Sequence, residues 1–235
     1  MNKNSIRFIL TDIEGTTTSV NFVYDVLFPY FRTHAMDLLD LIEMDEVKEA
    51  MNATVLLAAQ SENIQLIGNE NIINHLIRWS LEDKKYTPLK TLQGILWKKG
   101  YEDGSIKGHV YPEVAPMLRK WHEQGLQLGV FSSGSVKAQQ LLFGHSIDGD
   151  LLDYFSCYFD TTTGMKRETE TYERISAKLN ISPNQILFLS DIKEELESAD
   201  KAGMKTIQLI REGNVVSWNE SVSDFNEVDL WLTNN

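Results

Sequence analysis

The stretch RFILTDIEGTTT, residues 7–18, decides how this chain folds. Its start is continuously apolar, which is typical of a strand buried on both faces of a parallel sheet. The run meets two acids, Asp12 and Glu14, and Gly15 and three threonines follow. Acids and glycine are also common in solvated turns, so the pair by itself has two interpretations. The rest of the sequence is needed to decide whether Asp12 and Glu14 form a turn or a functional site.

Four further short apolar runs follow, at residues 126–133, 155–161, 186–191 and 205–211. Segments of ordinary crossover length with helical character separate them. Continuously apolar strands with helices between them indicate a parallel sheet that is covered on both faces. The sequence therefore predicts an α/β fold with a Rossmann-like, doubly wound parallel sheet. The residues after Arg211 are weakly patterned, and we interpret them as a closing edge.

The gap after the first strand is different, because residues 19–107 show helical patterns and no strand pattern. Two of these patterns cover 47–60 and 69–85, and in a third Pro88 can open a helix that Gly100 would close. A helical insertion directly after the first strand is typical of a cap. We predict a core of residues 1–18 and 108–235 and a helical cap domain of residues 19–107.

Composition narrows the class of protein. The 235 residues carry a formal net charge of -12, which would repel a phosphate backbone, so we expect no nucleic-acid partner. The apolar run behind Lys3 and Arg7 ends at Asp12, whereas a membrane span needs about 20 apolar residues. We therefore expect no membrane association and a cytoplasmic location, with a nuclear location as an alternative in a eukaryote. We also expect a monomer.

Polar groups follow the predicted strands at the edge where the carboxyl ends of parallel strands form a ligand crevice. Alone, each group has another interpretation, because serine and aspartate cap helices and most lysines lie on the surface. Their order along the chain nevertheless favours one shared site. The members of this set are Asp12 and Glu14 after the first strand, Ser132 and Ser133 after the second, Lys166 past the third and Asp191 after the fourth.

The chemistry of this set is that of phosphoryl transfer. Carboxylate and carbonyl oxygens are hard ligands that suit Mg2+, which also bridges to substrate phosphates. Transfer of a phosphoryl group needs a nucleophile, positive charge on the phosphate oxygens and a proton for the leaving oxygen. Asp12 can attack, Lys166 can neutralise charge and Glu14 can deliver the proton. The loop from Ser132 can cradle the phosphate of a small phosphorylated metabolite.

These residues resemble a known family. The run Asp12-Ile-Glu-Gly-Thr16 is similar to the Asp-x-Asp-x-Thr motif of the haloacid dehalogenase-like phosphohydrolases, with glutamate in place of the second aspartate. DIEGTT resembles in particular the enolase-phosphatases, or acireductone synthases, of methionine salvage. Further matches cover residues 130–151, 158–172 and 187–206. The cap matches only in size, position and helical character.

The resemblance implies a bifunctional enzyme with one Mg2+ per subunit. Members of the family enolise 2,3-diketo-5-methylthiopentyl 1-phosphate and then release its phosphate through an aspartyl-phosphate, which gives acireductone, 1,2-dihydroxy-3-keto-5-methylthiopentene. By the same resemblance Asp12 is the nucleophile and a metal ligand. Glu14 binds the metal through its main-chain carbonyl while its side chain serves as acid or base. Asp191 is the third metal ligand.

The resemblance also implies a binding site for the substrate. Ser132 and Ser133 bind the phosphate, and Lys166 steadies the phosphate and the nucleophile. Glu195 matches a position where related enzymes hold a second acid, and we give it a supporting role. The cap would exclude water and recognise the apolar methylthio tail.

Several alternatives stay open. Another Mg2+-dependent phosphatase or a phosphomutase of the same superfamily could use the same groups, whereas a dehalogenase would not need the second acid or the metal. A binding module without turnover is disfavoured because all the core groups are present. Phe22, Tyr24 and Phe28 are interpreted as cap core, with a lining of the methylthio pocket as the alternative. The base of the enolisation is not identifiable, and Glu14 is a candidate.

Overall fold

The computed structural model describes residues 5–211 and 213–234. Residues 1–4, 212 and 235, which the predicted core includes, lie outside the described residues. The chain divides into two compact units, one formed by Met1–Val20 with Lys107–Asn235 and the other by Asn21–Ile106. The assignment of these units as a core and a cap stays a prediction.

The first unit is built on a parallel sheet, which confirms the predicted α/β class. Within residues 5–211 and 213–234, six strands pair in the order β3-β2-β1-β4-β5-β6, all of them parallel. Five lie inside the apolar runs of the sequence, and the sixth lies in the tail. Their bounds are Phe8–Thr11 for β1, Gln127–Phe131 for β2, Cys157–Phe159 for β3, Ile186–Ser190 for β4, Lys205–Leu209 for β5 and Ser221–Val222 for β6.

Strand β1 is central because it pairs on both sides. Leu10 lies opposite Gly129 of β2 on one side and Phe188 of β4 on the other, and all four residues of the strand are buried. The order of the strands therefore reverses at β1. Open parallel sheets bind ligands at the carboxyl ends of the strands beside such a reversal. Asp12 follows β1 directly and so stands at that point.

Helices connect the strands of this unit and pack on the sheet. An aromatic cluster forms the core beneath the carboxyl ends of the strands, where the ring centroids of Phe131 and Phe188 lie 5.7 and 5.1 Å from that of Tyr172. The α-helices are Val114–Glu123, Val136–Gly144, Thr169–Leu179, Lys193–Lys201 and Phe225–Asn234, and 3-10 turns cover Leu152–Tyr154 and Pro183–Gln185.

The tail contains more than the closing edge that the sequence indicated. It adds the two-residue strand β6 and the helix Phe225–Asn234. Phe225 and Val228 are buried, and the ring of Phe225 lies 5.2 Å from that of Trp121. A two-residue strand has no readable period, so only packing on the neighbouring elements defines it.

The second unit is helical, as the sequence predicted, and no strand occurs within its described residues 21–106. Apolar side chains from its long helices form one buried cluster that includes Leu38, Met51, Leu76, Trp79 and Leu92. Its α-helices are Phe28–His34, Asp45–Glu62, Asn69–Leu81 and Thr87–Glu102, with a π-helical turn at Val23–Leu27 and a 3-10 segment at Ala35–Leu41, and the short helix Val20–Phe22 leads into it along the chain from the first unit.

Two details of this unit differ from the sequence predictions. Gly100 does not close the helix that Pro88 opens, because that helix, Thr87–Glu102, continues two residues past it. A Cβ atom at Gly100 would lie 2.6 Å from Cζ of Tyr30, so this glycine permits close packing inside the helix. Phe22 and Phe28 are buried, as expected of cap core, but Tyr24 is 48% exposed and its hydroxyl donates to Asp83.

A helix that spans a membrane has to be both long and apolar. Across residues 5–211 and 213–234, no helix is both long enough and apolar enough to span a bilayer.

Candidate active site

The segment after β1 folds back on itself. The main-chain carbonyl of Ile13 accepts from the N–H groups of the three threonines 16–18, at 3.1, 2.9 and 3.0 Å. Gly15 adopts a φ of 73°, in the left-handed region that favours glycine. The N–H of Asp12 donates to the carbonyl of Leu189, at 2.9 Å. These bonds fix the acids of the first motif at the end of β1 rather than in a solvated turn.

Lys166 lies between two carboxylates. Its Nζ is 2.7 Å from Oδ1 of Asp12 and 2.7 Å from Oε2 of Glu195. The N–H of Ile13 donates to the same Oδ1 at 2.7 Å. Burial alone would lower the pKa of Lys166, but the charges of Asp12 and Glu195 raise it to about 12. Lys166 is therefore a buried cation and not a surface lysine.

Lys166 is held at its main chain as well. The hydroxyl of Tyr172 donates to the carbonyl of Lys166 at 2.7 Å, and Nζ lies 5.7 Å from the ring centroid of Phe131. Both aromatic residues belong to the buried core under the sheet edge. The loop that follows β3 is thus anchored where it delivers the ammonium group.

Glu14 is a second acid beside Asp12. The hydroxyl of Ser132 donates to Oε2 of Glu14 at 3.2 Å and accepts from the N–H of Gly134 at 3.1 Å. Burial, and next the negative charge of Asp12, raise the pKa of Glu14 above its usual range. Glu14 therefore holds a proton more readily than an exposed glutamate.

The two predicted phosphate-binding serines differ in their surroundings. Ser132 directly follows β2 and is fully buried, whereas Ser133 is exposed. Neither caps the helix that follows, because Ser135 does so by accepting from the N–H of Ala138. The structure brings Ser132 to Glu14, and the phosphate-binding role of both serines stays a prediction.

Gln139 holds the loop between β2 and the next helix, and the sequence reasoning missed it. Its Nε2 donates to the carbonyls of Gly134 and Phe159, both at 2.8 Å. The side chain is 1% exposed. The available signal was an amide side chain in a helix whose inner face is otherwise apolar.

Asp191 directly follows β4 and belongs to the same group of acids. Its Oδ2 accepts from Nδ2 of Asn214 at 3.1 Å, and its main-chain carbonyl accepts from Nε2 of Gln208 at 3.1 Å. Burial, and next the charge of Asp12, raise its pKa to about 6. A Cβ atom at Gly15 would lie 2.3 Å from Oδ2, so only glycine leaves room for this carboxylate.

This group of acids fits a hard divalent cation. Oδ1 of Asp191 is buried and has no hydrogen-bond partner in the part of the chain that the structure describes. An unpartnered buried carboxylate oxygen beside another acid needs positive charge. No group of three or more His, Cys, Asp or Glu side chains with metal-binding geometry occurs in residues 5–211 and 213–234. The predicted ligand set has only two side chains and a main-chain carbonyl, a combination that suits Mg2+ with its waters.

Arg211 supports the first motif and was also missed by the sequence reasoning. Its Nη2 donates to the main-chain carbonyl of Thr16 at 2.8 Å and to Oε1 of Glu113 at 2.6 Å. Its Cζ lies 3.9 Å from the ring centroid of Tyr111, so the guanidinium stacks on that ring. Arg211 is the last residue of the fifth apolar run. An arginine at the end of a strand is ordinary, so its position in the sequence did not indicate this role. Only its contacts reveal that it holds the turn after β1.

Comparison with known proteins agrees with this arrangement. The haloacid dehalogenase-like hydrolase family matches residues 6–203. A protein of Marinobacter nauticus named enolase-phosphatase E1 is 46% identical over 97% of this chain and 98% of its own length. A protein of Azotobacter vinelandii with the same name is 47% identical over 95% of this chain and 97% of its own.

Solved structures give the same result at two levels. The UTR4 protein of Saccharomyces cerevisiae superposes with a TM-score of 0.78 and 32% identity, over 95% of this chain and 100% of that protein. The L-2-haloacid dehalogenase of Xanthobacter autotrophicus superposes with a TM-score of 0.58 over 97% and 98% of the two chains. At 12% identity the second match shows the fold alone. The sequence and the fold together show that this chain belongs to the haloacid dehalogenase-like hydrolases and, among them, to the enolase-phosphatase E1 family.

Proposed function

We propose that this protein is a Mg2+-dependent enolase-phosphatase of methionine salvage. It converts 2,3-diketo-5-methylthiopentyl 1-phosphate to acireductone and phosphate. The observation that carries the proposal is the contact between Nζ of Lys166 and Oδ1 of Asp12, at 2.7 Å beside Glu14 and Asp191. The choice of substrate follows from the resemblance of the first motif to the enolase-phosphatases, and the relatives named enolase-phosphatase E1 support it.

Asp12 is the proposed nucleophile. Lys166 and the N–H of Ile13 both bind Oδ1, which fixes the orientation of the carboxylate. The other oxygen, Oδ2, attacks phosphorus, so an O–P bond forms to Asp12 while the ester O–P bond of the substrate breaks. A buried ammonium group beside the reacting phosphate stabilises the charge that develops on its oxygens. This positive charge is the role that we give to Lys166.

Glu14 is the proposed acid and base. Because its pKa is raised, it can hold the proton that the leaving oxygen takes up when the ester bond breaks. The resulting carboxylate then accepts a proton from the water that attacks the phosphorus of the aspartyl-phosphate. This second step regenerates Asp12 and releases phosphate. The hydroxyl of Ser132 keeps the side chain of Glu14 in place for both steps.

The enolisation has to precede this transfer. Glu14 is our candidate for the base, because a carboxylate with a raised pKa removes a proton more effectively than an ordinary one. Asp12, Asp191 and the main-chain carbonyl of Glu14 would hold Mg2+. When bound, Mg2+ supplies Lewis-acid polarisation of substrate oxygens and neutralises phosphate charge.

The remaining assignments follow the same family. Ser132 and Ser133 would bind the substrate phosphate. The helical unit would exclude water from the phospho-enzyme and recognise the methylthio tail. We propose a monomer that acts on a small phosphorylated metabolite, needs no nucleic acid or membrane, and works in the cytoplasm or, in a eukaryote, also in the nucleus.

A time course with the diketo phosphate tests the proposal. We expect the enol to appear by absorbance and phosphate to follow in a separate assay, and EDTA to stop phosphate release. Phosphate without a preceding enol would instead indicate another phosphatase of the superfamily. Transfer of the phosphoryl group to a second sugar phosphate, rather than to water, would indicate a phosphomutase.

A further inference from the structure

The tail loop, residues 213–218, is tied to strand β5 by one buried glutamine. Gln208 is 2% exposed. Its Oε1 accepts from the N–H groups of Ser217 and Trp218, at 2.9 and 3.0 Å, and its Nε2 donates to the carbonyl of Val215 at 3.3 Å. A single buried side chain therefore satisfies several main-chain groups of the loop.

A second anchor fixes the far end of the tail loop. Nε1 of Trp218 donates to Oγ1 of Thr206 on β5 at 3.0 Å, and the indole packs against the core cluster under the sheet. With both anchors on β5, the tail loop loses little further freedom when its other residues make contacts. Preorganisation of this kind is what a positioning role requires.

The contact that the tail loop delivers is to Asp191. Nδ2 of Asn214 donates to Oδ2 of Asp191 at 3.1 Å. Nε2 of Gln208 donates to the main-chain carbonyl of Asp191 at 3.1 Å. These two bonds hold one carboxylate oxygen and the backbone, and they leave Oδ1 buried without a partner within residues 5–211 and 213–234. The orientation of Asp191 thus depends on a loop that is distant from it in sequence.

We propose that Asn214 is a positioning residue for the cation site. By binding Oδ2, its amide stops the carboxylate from rotating and keeps Oδ1 available for the cation. The inference rests on the proposed function, which makes Asp191 a Mg2+ ligand. Side chains that orient metal ligands in this way typically change metal affinity about 10- to 100-fold when they are removed.

The chain contains a matched control for this contact. Nδ2 of Asn226 donates to Oδ2 of Asp224 at 3.2 Å, in the same tail but in an exposed pair. Asn226→Ala therefore removes an amide-to-carboxylate bond of the same kind and nearly the same length. It leaves the partners of Asp191 untouched.

Isothermal titration of MgCl2 into metal-free protein tests the proposal without any substrate. We expect Asn214→Ala to raise the dissociation constant for Mg2+ about tenfold or more, and Asn226→Ala to leave it unchanged. Binding to Asn214→Ala within twofold of the wild type would overturn the inference and leave the proposed function standing. If the wild type itself does not bind Mg2+, that result would contradict the proposed function, and the inference about Asn214 would fall with it.

Thermal unfolding in EDTA separates positioning from a structural role. We expect metal-free Asn214→Ala to unfold at the temperature of the metal-free wild type, because Asn214 lies in a surface loop. A weaker Mg2+ affinity accompanied by a large loss of metal-free stability would point to disruption of the tail loop, and it would contradict a positioning role.

Discussion

Nζ of Lys166 lies 2.7 Å from Oδ1 of Asp12, although the two residues follow strands that are separated by β2. Glu195 reaches the same ammonium group from the helix after β4, on the other side of β1. One buried cation therefore faces a group of acids that also includes Glu14 and Asp191. Burial, and next the negative charge of Asp12, raise the pKa of Glu14, Asp191 and Glu195, and the single positive charge of Lys166 does not offset this rise.

The first prediction concerns the nucleophile. Asp12→Asn keeps the size of the side chain but removes the charge and the nucleophilic oxygen. We expect phosphate release from the diketo phosphate to fall at least about a thousandfold, as in enzymes that lose a covalent nucleophile. The measurement is phosphate release under saturating Mg2+.

Asp229→Asn is its control. Asp229 lies in the helix Phe225–Asn234 and pairs with Lys120 of the helix Val114–Glu123, not with Lys166. Its turnover should equal that of the wild type. Substantial phosphate release by Asp12→Asn would remove Asp12 from the role of nucleophile.

The second prediction concerns the buried cation. Lys166→Ala leaves Asp12 and Glu195 without their shared partner, so we expect turnover to fall about 100- to 1000-fold. The protein should remain folded by circular dichroism. A loss of less than tenfold, about 1.4 kcal/mol in transition-state stabilisation, would mean that Lys166 does not contact the reacting phosphate.

Lys178→Ala provides the comparison for that variant. Lys178 is an exposed lysine in the helix Thr169–Leu179 and lies 6.0 Å from the ring of Phe159. Its removal should leave turnover unchanged.

The third prediction concerns the close approach of the first motif to Asp191. In Gly15→Ala the new Cβ would lie 2.3 Å from Oδ2 of Asp191, so the carboxylate has to move. We expect a marked loss of Mg2+ affinity by calorimetry, in addition to about 1–2 kcal/mol of stability for a non-glycine residue at positive φ.

Gly149→Ala isolates the backbone effect, because Gly149 has a φ of 93° and a Cβ there would meet nothing within 4 Å. It should lose stability to a similar degree and keep its Mg2+ affinity. Equal Mg2+ binding by Gly15→Ala and Gly149→Ala would show that the contact with Asp191 does not matter.

The fourth prediction is a pH dependence of stability without metal. Burial and the charge of Asp12 raise the pKa of Glu195 to about 7 from its usual 4.5, in spite of Lys166. Between these values the folded protein binds a proton that the unfolded chain has lost, so this group makes the unfolding free energy fall as pH rises. Glu195→Gln removes that dependence.

Urea unfolding in EDTA from pH 4 to pH 8 measures the effect. Relative to Glu195→Gln, the wild type should lose stability between about pH 4.5 and pH 7 and show no further change above that window. A stability difference that is flat across the window, or that favours the wild type as pH rises, would contradict the raised pKa of Glu195.

Much of the fold could be predicted from the sequence because it rests on local patterns. Continuous apolar runs identified β1 to β5 as strands, although the edge strand β3 is only partly buried, and the helical periodicity of residues 47–60 and 69–85 identified the helical unit. The short strand β6, the continuation of a helix past Gly100 and the exposure of Tyr24 were not predictable in this way. Each of them depends on what packs nearby and not on the local period.

The sequence by itself determined which polar residues stand at the ends of the buried strands. Asp12, Ser132 and Asp191 each follow a strand directly, and parallel strands place their carboxyl ends at one edge. The tertiary structure alone decided how those residues work together. Three contacts between residues distant in sequence make this site. Lys166 forms an ion pair with Glu195, Arg211 donates a hydrogen bond to the carbonyl of Thr16, and Asn214 donates one to Asp191. Contacts across such separations leave no local pattern, because they form only when the sheet has brought its strand ends together.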